Sequence, residues 1–415
     1  MRKWVLIQFA AVTAVAEALQ LVALLWSTLS LSGSPVMVGV VNAFAFIPGV
    51  VAGVTLKRAF DRGNPLNSLG RTNWVNVICS IGLAIAVLLS LAPGFLVVGF
   101  CLSQAVMSVA KLANKSAMAR SLRLLVGRDE LATVQGRMSS VTIVGGLVGS
   151  GLGGVGLALL GPGWCFVVAS LLYVASVLLV NTARRYVPQT SVVQTAGVVQ
   201  MAVTGGAPLA QEAQEALPSG SSRLKVSDGL PVLALVLIVS IPSSGALQFV
   251  TALLPSYADA LVPKTAPFYS VLDIAAMVGG VLAGLVVGIS PAMRRFIYRY
   301  ALGISGVLCL VTAIVSWPIV AVGLVAIVSL SITVHVVSMQ VATNQMAPEG
   351  SVGRYMALRN AGVGIAKTVF SLAAGWLAQF ADAEFAWFAL GAFLVLASAA
   401  FWCSGSWRKM AKMEQ

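Results

Sequence analysis

ARRYVPQTSVVQTAGVVQMAVTGGAPLAQEAQEALPSGSSRLKVSDG, residues Ala183–Gly229, is the longest run of this chain without a membrane-length apolar pattern. It opens on Arg184 and Arg185, passes Pro188, Gly205, Gly206 and Pro208, carries Glu212 and Glu215, and closes on Arg223 and Lys225. Such a composition reads as a flexible, solvated connector. The other reading, an inserted domain, is weaker, because about 47 residues low in aromatics lie near the lower limit for a core of their own. On either side stand two stretches of nearly equal length, 1–182 and 230–415, and each divides into six long apolar helices.

Composition sets the class. The chain is 59% hydrophobic and 9% charged, with a mean hydropathy of +0.94, whereas soluble proteins are about one quarter charged. This is an all-α, polytopic membrane protein. The first apolar run follows Arg2 and Lys3 and extends from Trp4 to about Leu31 with no small-residue cleavage site after a short core, so it reads as a retained span. The five cysteines, Cys79, Cys101, Cys165, Cys309 and Cys403, all lie in apolar runs without paired metal spacing and read as small core residues.

Spans are expected at roughly 5–31, 36–56, 73–91, 94–118, 134–160 and 163–182, then 230–254, 267–289, 301–317, 319–346, 354–380 and 385–404, most near the ~20 residues that cross the hydrocarbon, the longer ones able to tilt or protrude. That makes twelve helices in two six-helix halves joined by a linker over 183–229. Turn chemistry at Ser32-Gly33-Ser34-Pro35, Ala92-Pro93-Gly94, Gly161-Pro162-Gly163 and Ser316-Trp317-Pro318 makes the neighbours antiparallel. An internal echo supports the duplication: Gly136-Arg137-Met138 opens the fifth span and Gly353-Arg354-Tyr355-Met356 opens the eleventh. Duplicated halves facing one cavity are a common transporter plan, with the substrate near the bilayer midplane.

The net charge of +13 is decided by where the charges fall. Arg2 and Lys3, then Lys57, Arg58, Arg62 and Arg71, then Arg120, Arg123, Arg128 and Arg137 lie at one side. The linker, Arg294, Arg295, Arg299, Arg354, and the tail Arg408, Lys409 and Lys412 continue the series. The opposite loops hold Lys264 beside Asp259, Asp382 and Glu384. This positive-inside pattern places both termini in the cytoplasm, in the inner membrane of a bacterial cell. The basic excess belongs to topology and anionic lipid, and nucleic acid is not an expected partner.

Three stretches carry a family resemblance. SGSPVMVGVVNAFAFIPGVVAG (32–53), the run Gly149-Ser150-Gly151-Leu152-Gly153-Gly154, and Gln345 through Pro348, Glu349, Gly353-Arg354 and Met356 resemble the major facilitator superfamily, and within it most the branch of macrolide-efflux and enterobactin-exporter proteins. The loop after the second span departs from the family's G-x-L-x-D-R-x-G-R. After Gly53, Leu56, Lys57 and Arg58 come Ala59, Phe60, Asp61, Arg62 and Gly63, so lysine stands at the first acid and Asp61 arrives late. In the antiporter motif G-P-x-x-G-G, Gly149, Gly153 and Gly154 are met while Ser150 replaces proline. The resemblance implies gating or conformational roles for Arg58, Asp61, Arg62, Gly149, Gly153, Gly154, Glu349 and Arg354. It also implies that the third, sixth, ninth and twelfth helices stand outside, and those four carry no ionisable residue in their middles.

Ionisable side chains deep in a membrane are costly and face a cavity or a partner. Glu17 lies near the middle of the first span with Thr13 and Gln20 on its face, and the resembling family also has an acid near this point. It reads as the proton-coupling group. Lys367 sits mid-span with Asn360, Gly364 and Ser371 on its face, placed either to pair with Glu17 in one conformation or to attract an anionic substrate. His335, the sole histidine, has Ser331 and Ser338 on its face and reads as a neutral helix-to-helix hydrogen bond ahead of a proton relay. Asp273 reads as a vestibule acid or gate contact, and Asn42, Gln104, Gln248 and Gln340 as neutral donors in the cavity. Lys111, Lys115 and Arg359 read as side chains that snorkel to lipid headgroups. Gly145–Gly156 is rich enough in glycine to read as close helix packing, as a sliding contact between the halves, or as both.

No glycine loop carries the lysine of a nucleotide site, no His or carboxylate cluster has metal spacing, and no nucleophile and base pair is evident, so neither a cofactor nor an enzymatic reaction is expected. The expected function is secondary active transport, most simply export of an amphiphilic small molecule or drug in exchange for protons by a monomer. The alternatives are a lipid, siderophore or metabolite carrier of the same fold, with Lys367 as anion contact, and a non-transporting membrane receptor.

Overall fold

A computed structural model of the chain describes residues 2–55, 64–125, 128–185, 226–288, 291–346 and 352–403. Every described element is helical: α1 (Arg2–Ser32), α2 (Pro35–Ala43), α3 (Ile47–Thr55), α4 (Pro65–Leu88), α5 (Pro93–Leu125), α6 (Arg128–Leu159), α7 (Pro162–Arg185), α8 (Val226–Leu261), α9 (Ala266–Gly288), α10 (Pro291–Ala313), α11 (Pro318–Met346), α12 (Val352–Phe380) and α13 (Ala383–Cys403). Because α2 and α3 together make one span, these are twelve spans. Among the described residues, ten are long and apolar enough to cross a membrane, and α10 holds a shorter apolar stretch, Arg299–Ala313. The expected linker is helical at its two ends, to Arg185 and from Val226; residues 186–225 lie outside the described residues.

Local chemistry starts and stops these helices. Pro35, Pro65, Pro93, Pro162, Pro291 and Pro318 each open one, at the position where a missing N–H leaves no bond unmade. Asn64 caps α4 by accepting from the Leu66 N–H at 3.0 Å. The turns into α2 and α7 run through Gly33 (φ +59°) and Gly161 (φ +81°), a left-handed conformation that side chains resist.

The sequence pattern predicts one unbroken second span over 36–56. The helix in fact stops at Ala43 and restarts at Ile47. Pro48 explains this, since proline in a helix interior lacks the donor and crowds the carbonyl four residues back, here Phe44. The irregular turn stays hydrogen-bonded, with Ala45 N–H to Asn42 O at 3.1 Å, Phe46 N–H to Ala43 O at 3.0 Å and Gly49 N–H to Ser108 Oγ at 3.0 Å. Unpaired backbone groups in hydrocarbon would each cost several kcal/mol, so such a break needs these partners.

The packing repeats six spans on. In the first half α1 packs on α6, the α2/α3 span on α5, and α4 on α7; in the second, α8 packs on α12, α9 on α11, and α10 on α13. The halves join mainly through α2 with α12 and α6 with α9. The main packing partners of α4, α7, α10 and α13 all lie in their own half, and these helices form the flanks.

Lipid tails are as apolar as the helices, so close approach of small residues, more than hydrophobicity, draws the helices together. Gly39 of α2 lies against Ser371 O and Gly375 of α12, where no side chain fits. Ser371 Oγ donates back to Gly39 O at 3.1 Å. Trp26 stacks on Tyr269 at 5.9 Å, joining α1 to α9. These approaches lie toward the ends of the bundle opposite the chain termini. Further along, Val50 meets Gly364 near mid-depth.

Candidate functional site

The central charges lie where the two halves meet at mid-depth. Glu17 on α1 forms an ion pair with Lys111 on α5, Oε2 to Nζ 3.4 Å, and both are part-exposed, at 29% and 35%. Lys111 is therefore engaged in the interior and does not snorkel to a headgroup. The expected fourth span, 94–118, places it toward a helix end; α5 runs to Leu125, so Lys111 is central. An underestimated helix length caused the misreading, since element boundaries are the least legible part of a sequence pattern.

The Glu17 face is less open than its spacing suggests. Thr13 is buried and donates to Ser176 Oγ on α7 at 3.1 Å. Gln20 is 2% exposed, accepts from Ser80 Oγ on α4 at 2.9 Å, and directs Nε2 to Met107 Sδ on α5 at 3.1 Å. Both residues tie α1 into its own half and are not free cavity donors. The stripe faces inward, but toward α4, α5 and α7. Tyr173, fully buried on α7 with an unpartnered hydroxyl, lies within electrostatic reach of Glu17.

Lys367 is half-buried, and its Nζ sits 5.2 Å from the Phe46 ring centroid, a cation–π contact across the halves. Among the described residues Lys367 has no carboxylate partner; Glu17 pairs with Lys111 instead. Lys115, one turn beyond Lys111, and Arg359, one helix face from Lys367, both act electrostatically on Lys367. Arg359 is 4% exposed and donates Nη2 to Val336 O at 3.5 Å, so it too is interior and not at a headgroup.

His335 is fully buried, and neither ring nitrogen has a hydrogen-bond partner. The helix-to-helix hydrogen bond expected of it is absent among the described residues. Its neighbour on the face, Ser331, bonds instead to Ser305 Oγ at 2.8 Å and Ala301 O at 3.2 Å. Asn42 is 1% exposed with its Nδ2 unpartnered, Gln104 and Gln248 are buried, and Gln340 and Asn360 are exposed.

Asp273 is 8% exposed and accepts from Ser150 Oγ at 2.6 Å, linking α9 to α6 across the halves. Ser150 is the residue that departs from the antiporter motif, and the structure gives the departure a use. The glycines divide by direction. Gly149 and Gly153 lie against Val15 and Val22 of α1, inside the first half, while Gly154 lies against Ser270 of α9 in the second. Only Gly154 of these three belongs to the contact between halves. Arg58, Asp61, Arg62 and Glu349 lie outside the described residues, as does the side chain of Arg354, which stands in the first turn of α12.

Phe46 and Lys111 were not singled out by the sequence as site residues. The signals were present: Pro48, which puts Phe46 at a helix break, and two lysines four apart in an apolar helix.

Two six-helix halves, packed by the same pairings and closing on charged side chains at mid-depth, define a multi-pass membrane transporter and not an enzyme. The family model of the Major Facilitator Superfamily matches residues 6–358, and the chain belongs to that superfamily. The fold is similar to that of a D-xylose-proton symporter (TM-score 0.72, 16% identity, 96% of this chain and 97% of that one). It is also similar to a bacterial homologue of the iron transporter ferroportin in an inward-facing state (TM-score 0.72, 12% identity, 99% and 98%). The third is the xylose transporter XylE of E. coli in an inward-open conformation (TM-score 0.69, 16% identity, 95% of each chain). No curated protein matches the chain.

Proposed function

We propose that this protein is a proton-linked secondary transporter of an amphiphilic small molecule carrying an anionic group, working by alternating access with both termini in the cytoplasm. One observation carries the reading: Glu17 is neutralised by Lys111, which leaves Lys115, Arg359 and Lys367 around the centre without a carboxylate partner among the described residues. Uncompensated charge at membrane depth is costly unless a ligand or a water-filled cavity offsets it. The apolar helices around it suit the rest of an amphiphile.

Proton coupling follows from the ion pair. A proton on Glu17 releases Lys111, adding a fourth cation to the centre, so proton and anion bind together and travel in one direction. The exchange of substrate against proton, suggested by the resemblance to macrolide-efflux and enterobactin-exporter proteins, requires that the two compete. It is the second reading, favoured by the glycine-rich α6. Alternating access opens the contacts opposite the termini, Trp26 with Tyr269 and Ser150 with Asp273, which are few and small enough to exchange.

The test is flux in proteoliposomes with an imposed pH gradient and a panel of amphiphiles matched in apolar body but anionic, neutral or cationic. Anion movement with co-directional proton flux, lost in Glu17→Gln, supports the reading. Preference for cations with counter-directional proton flux replaces it with drug exchange. Flux of none of them, with the protein folded, favours a receptor.

A further inference from the structure

We infer that the cleft between α4 and α7, at the bundle end shared with the N-terminus, binds the phosphate of an anionic phospholipid. The cleft has a volume of about 260 Å³ and is lined by Asn67, Gly70, Arg71 and Trp74 of α4 and by Val177, Asn181 and Arg184 of α7. On α4, Asn67, Arg71 and Trp74 follow at spacings of four and three; on α7, Val177, Asn181 and Arg184 do the same. Each set therefore lies on one helical face, and the two faces look at each other.

Among the described residues the charge in the cleft is uncompensated. Neither α4 nor α7 contains an Asp or Glu. Arg71 is exposed and has no partner among the described residues, and Arg184 lies within electrostatic reach of it. Two guanidinium groups held together repel unless an anion sits between them. The structure positions one for that purpose: Arg184 Nη2 donates to Leu66 O at 3.0 Å and lies where a side chain on Gly70 would stand. Its Nε is buried and unpartnered. Arginine's planar fork suits phosphate oxygens, and Asn67 and Asn181 add neutral donors at the rim.

The surroundings select a lipid as the source of the phosphate. The cleft is on a flank of the bundle, away from the centre between the halves. Below it, on the same two helices, Trp74 (50% exposed), Ile78 (68%), Leu171 (62%) and Leu178 (59%) form a bare apolar track. A headgroup in the cleft lays its acyl chains along that track, and Trp74, which lines the cleft and opens the track, is of the residue type that anchors membrane interfaces. A free phosphate would use the arginines and leave the track unused.

Native mass spectrometry of the purified full chain tests this, with phosphatidylglycerol and phosphatidylcholine of identical acyl chains and with millimolar inorganic phosphate as competitor. Arg71→Gln is the informative variant, because Arg71 supports no other contact among the described residues, and Arg71→Lys tests charge against fork geometry. The wild type is expected to retain phosphatidylglycerol over phosphatidylcholine. Arg71→Gln should retain about five-fold less of the former, the factor for one basic residue near a charged membrane surface. Phosphatidylcholine should be unchanged, and inorganic phosphate should not displace the lipid. Equal phosphatidylglycerol retention by wild type and variant, or a parallel fall for both lipids, overturns the site. Displacement by inorganic phosphate overturns the lipid as its ligand in favour of a free anion.

Discussion

The two halves share one packing plan and differ in how their deep charges are partnered. In the first, the deep carboxylate Glu17 has its cation, Lys111, 3.4 Å away. In the second, Lys367 has an aromatic ring and Arg359 a backbone carbonyl, while His335 has no hydrogen-bond partner among the described residues. Its deep carboxylate Asp273 is held by a serine of the first half. A duplicated scaffold thus carries a carboxylate–lysine ion pair in one half, with Lys115 one turn away, and in the other two cations without a carboxylate partner among the described residues. Helix pairing depends on small residues spread along whole helices, whereas a charge centre depends on single side chains, so the plan can stay the same while the chemistry diverges.

The largest effect should come from breaking the paired half. Glu17→Gln should bring proton-driven accumulation in proteoliposomes down to the level of protein-free vesicles. Lys111→Gln should do nearly the same, and the double variant should be no worse than either single one, because each removes the same interaction. Additive losses would show that the pair does not act as a unit.

Next is the unpaired half. Lys367→Gln should weaken binding of an anionic substrate about ten-fold, for loss of one charge-assisted contact of roughly 1.4 kcal/mol. Lys367→Arg should retain most of the affinity. Equilibrium binding in detergent measures both, and unchanged affinity would remove Lys367 from the site.

The scaffold common to both halves gives a stability prediction. Gly149→Ala places a methyl group against the Val15 carbonyl and should cost about 1–3 kcal/mol, read as a lower thermal unfolding midpoint. Gly82→Ala, with open space beside it, should not.

Smaller still is the link between the halves. Ser150→Ala should cost about 1 kcal/mol of the closed contact, shifting cysteine accessibility opposite the termini about five-fold. The smallest effect belongs to His335. Because its ring has no partner to lose, His335→Phe should leave stability and the pH dependence of transport close to wild type, and a shifted pH profile would make it a titrating participant after all.

The legible parts of the fold were those repeated many times along the chain. Twenty-residue apolar runs, prolines at helix starts and basic residues in alternate loops each recur in both halves, so an error at one position leaves the reading intact. The site was less legible. Glu17 stands out as the acid of the first span, with Lys367 as a partner in one conformation or an anion contact, but Lys111 is passed over because its depth is counted from an underestimated helix end. Thr13 and Gln20 were placed on the right face of α1, yet periodicity does not say which neighbour that face meets. Ser150 read as a defect in a motif until its hydroxyl was seen on Asp273, 123 positions away.

By itself, then, the sequence determined that this chain is a duplicated, twelve-span membrane protein, since hydrocarbon admits only backbone that satisfies its own hydrogen bonds and the spans must show as apolar runs, and its motifs carried the resemblance to the major facilitator superfamily. Only the tertiary structure decided which charges meet, which glycines face the other half, and where two arginines share a cleft without an acid among the described residues. Those outcomes depend on rotation and depth of one helix against another, and a rotation of one residue, 100°, turns a side chain from one neighbour to the next.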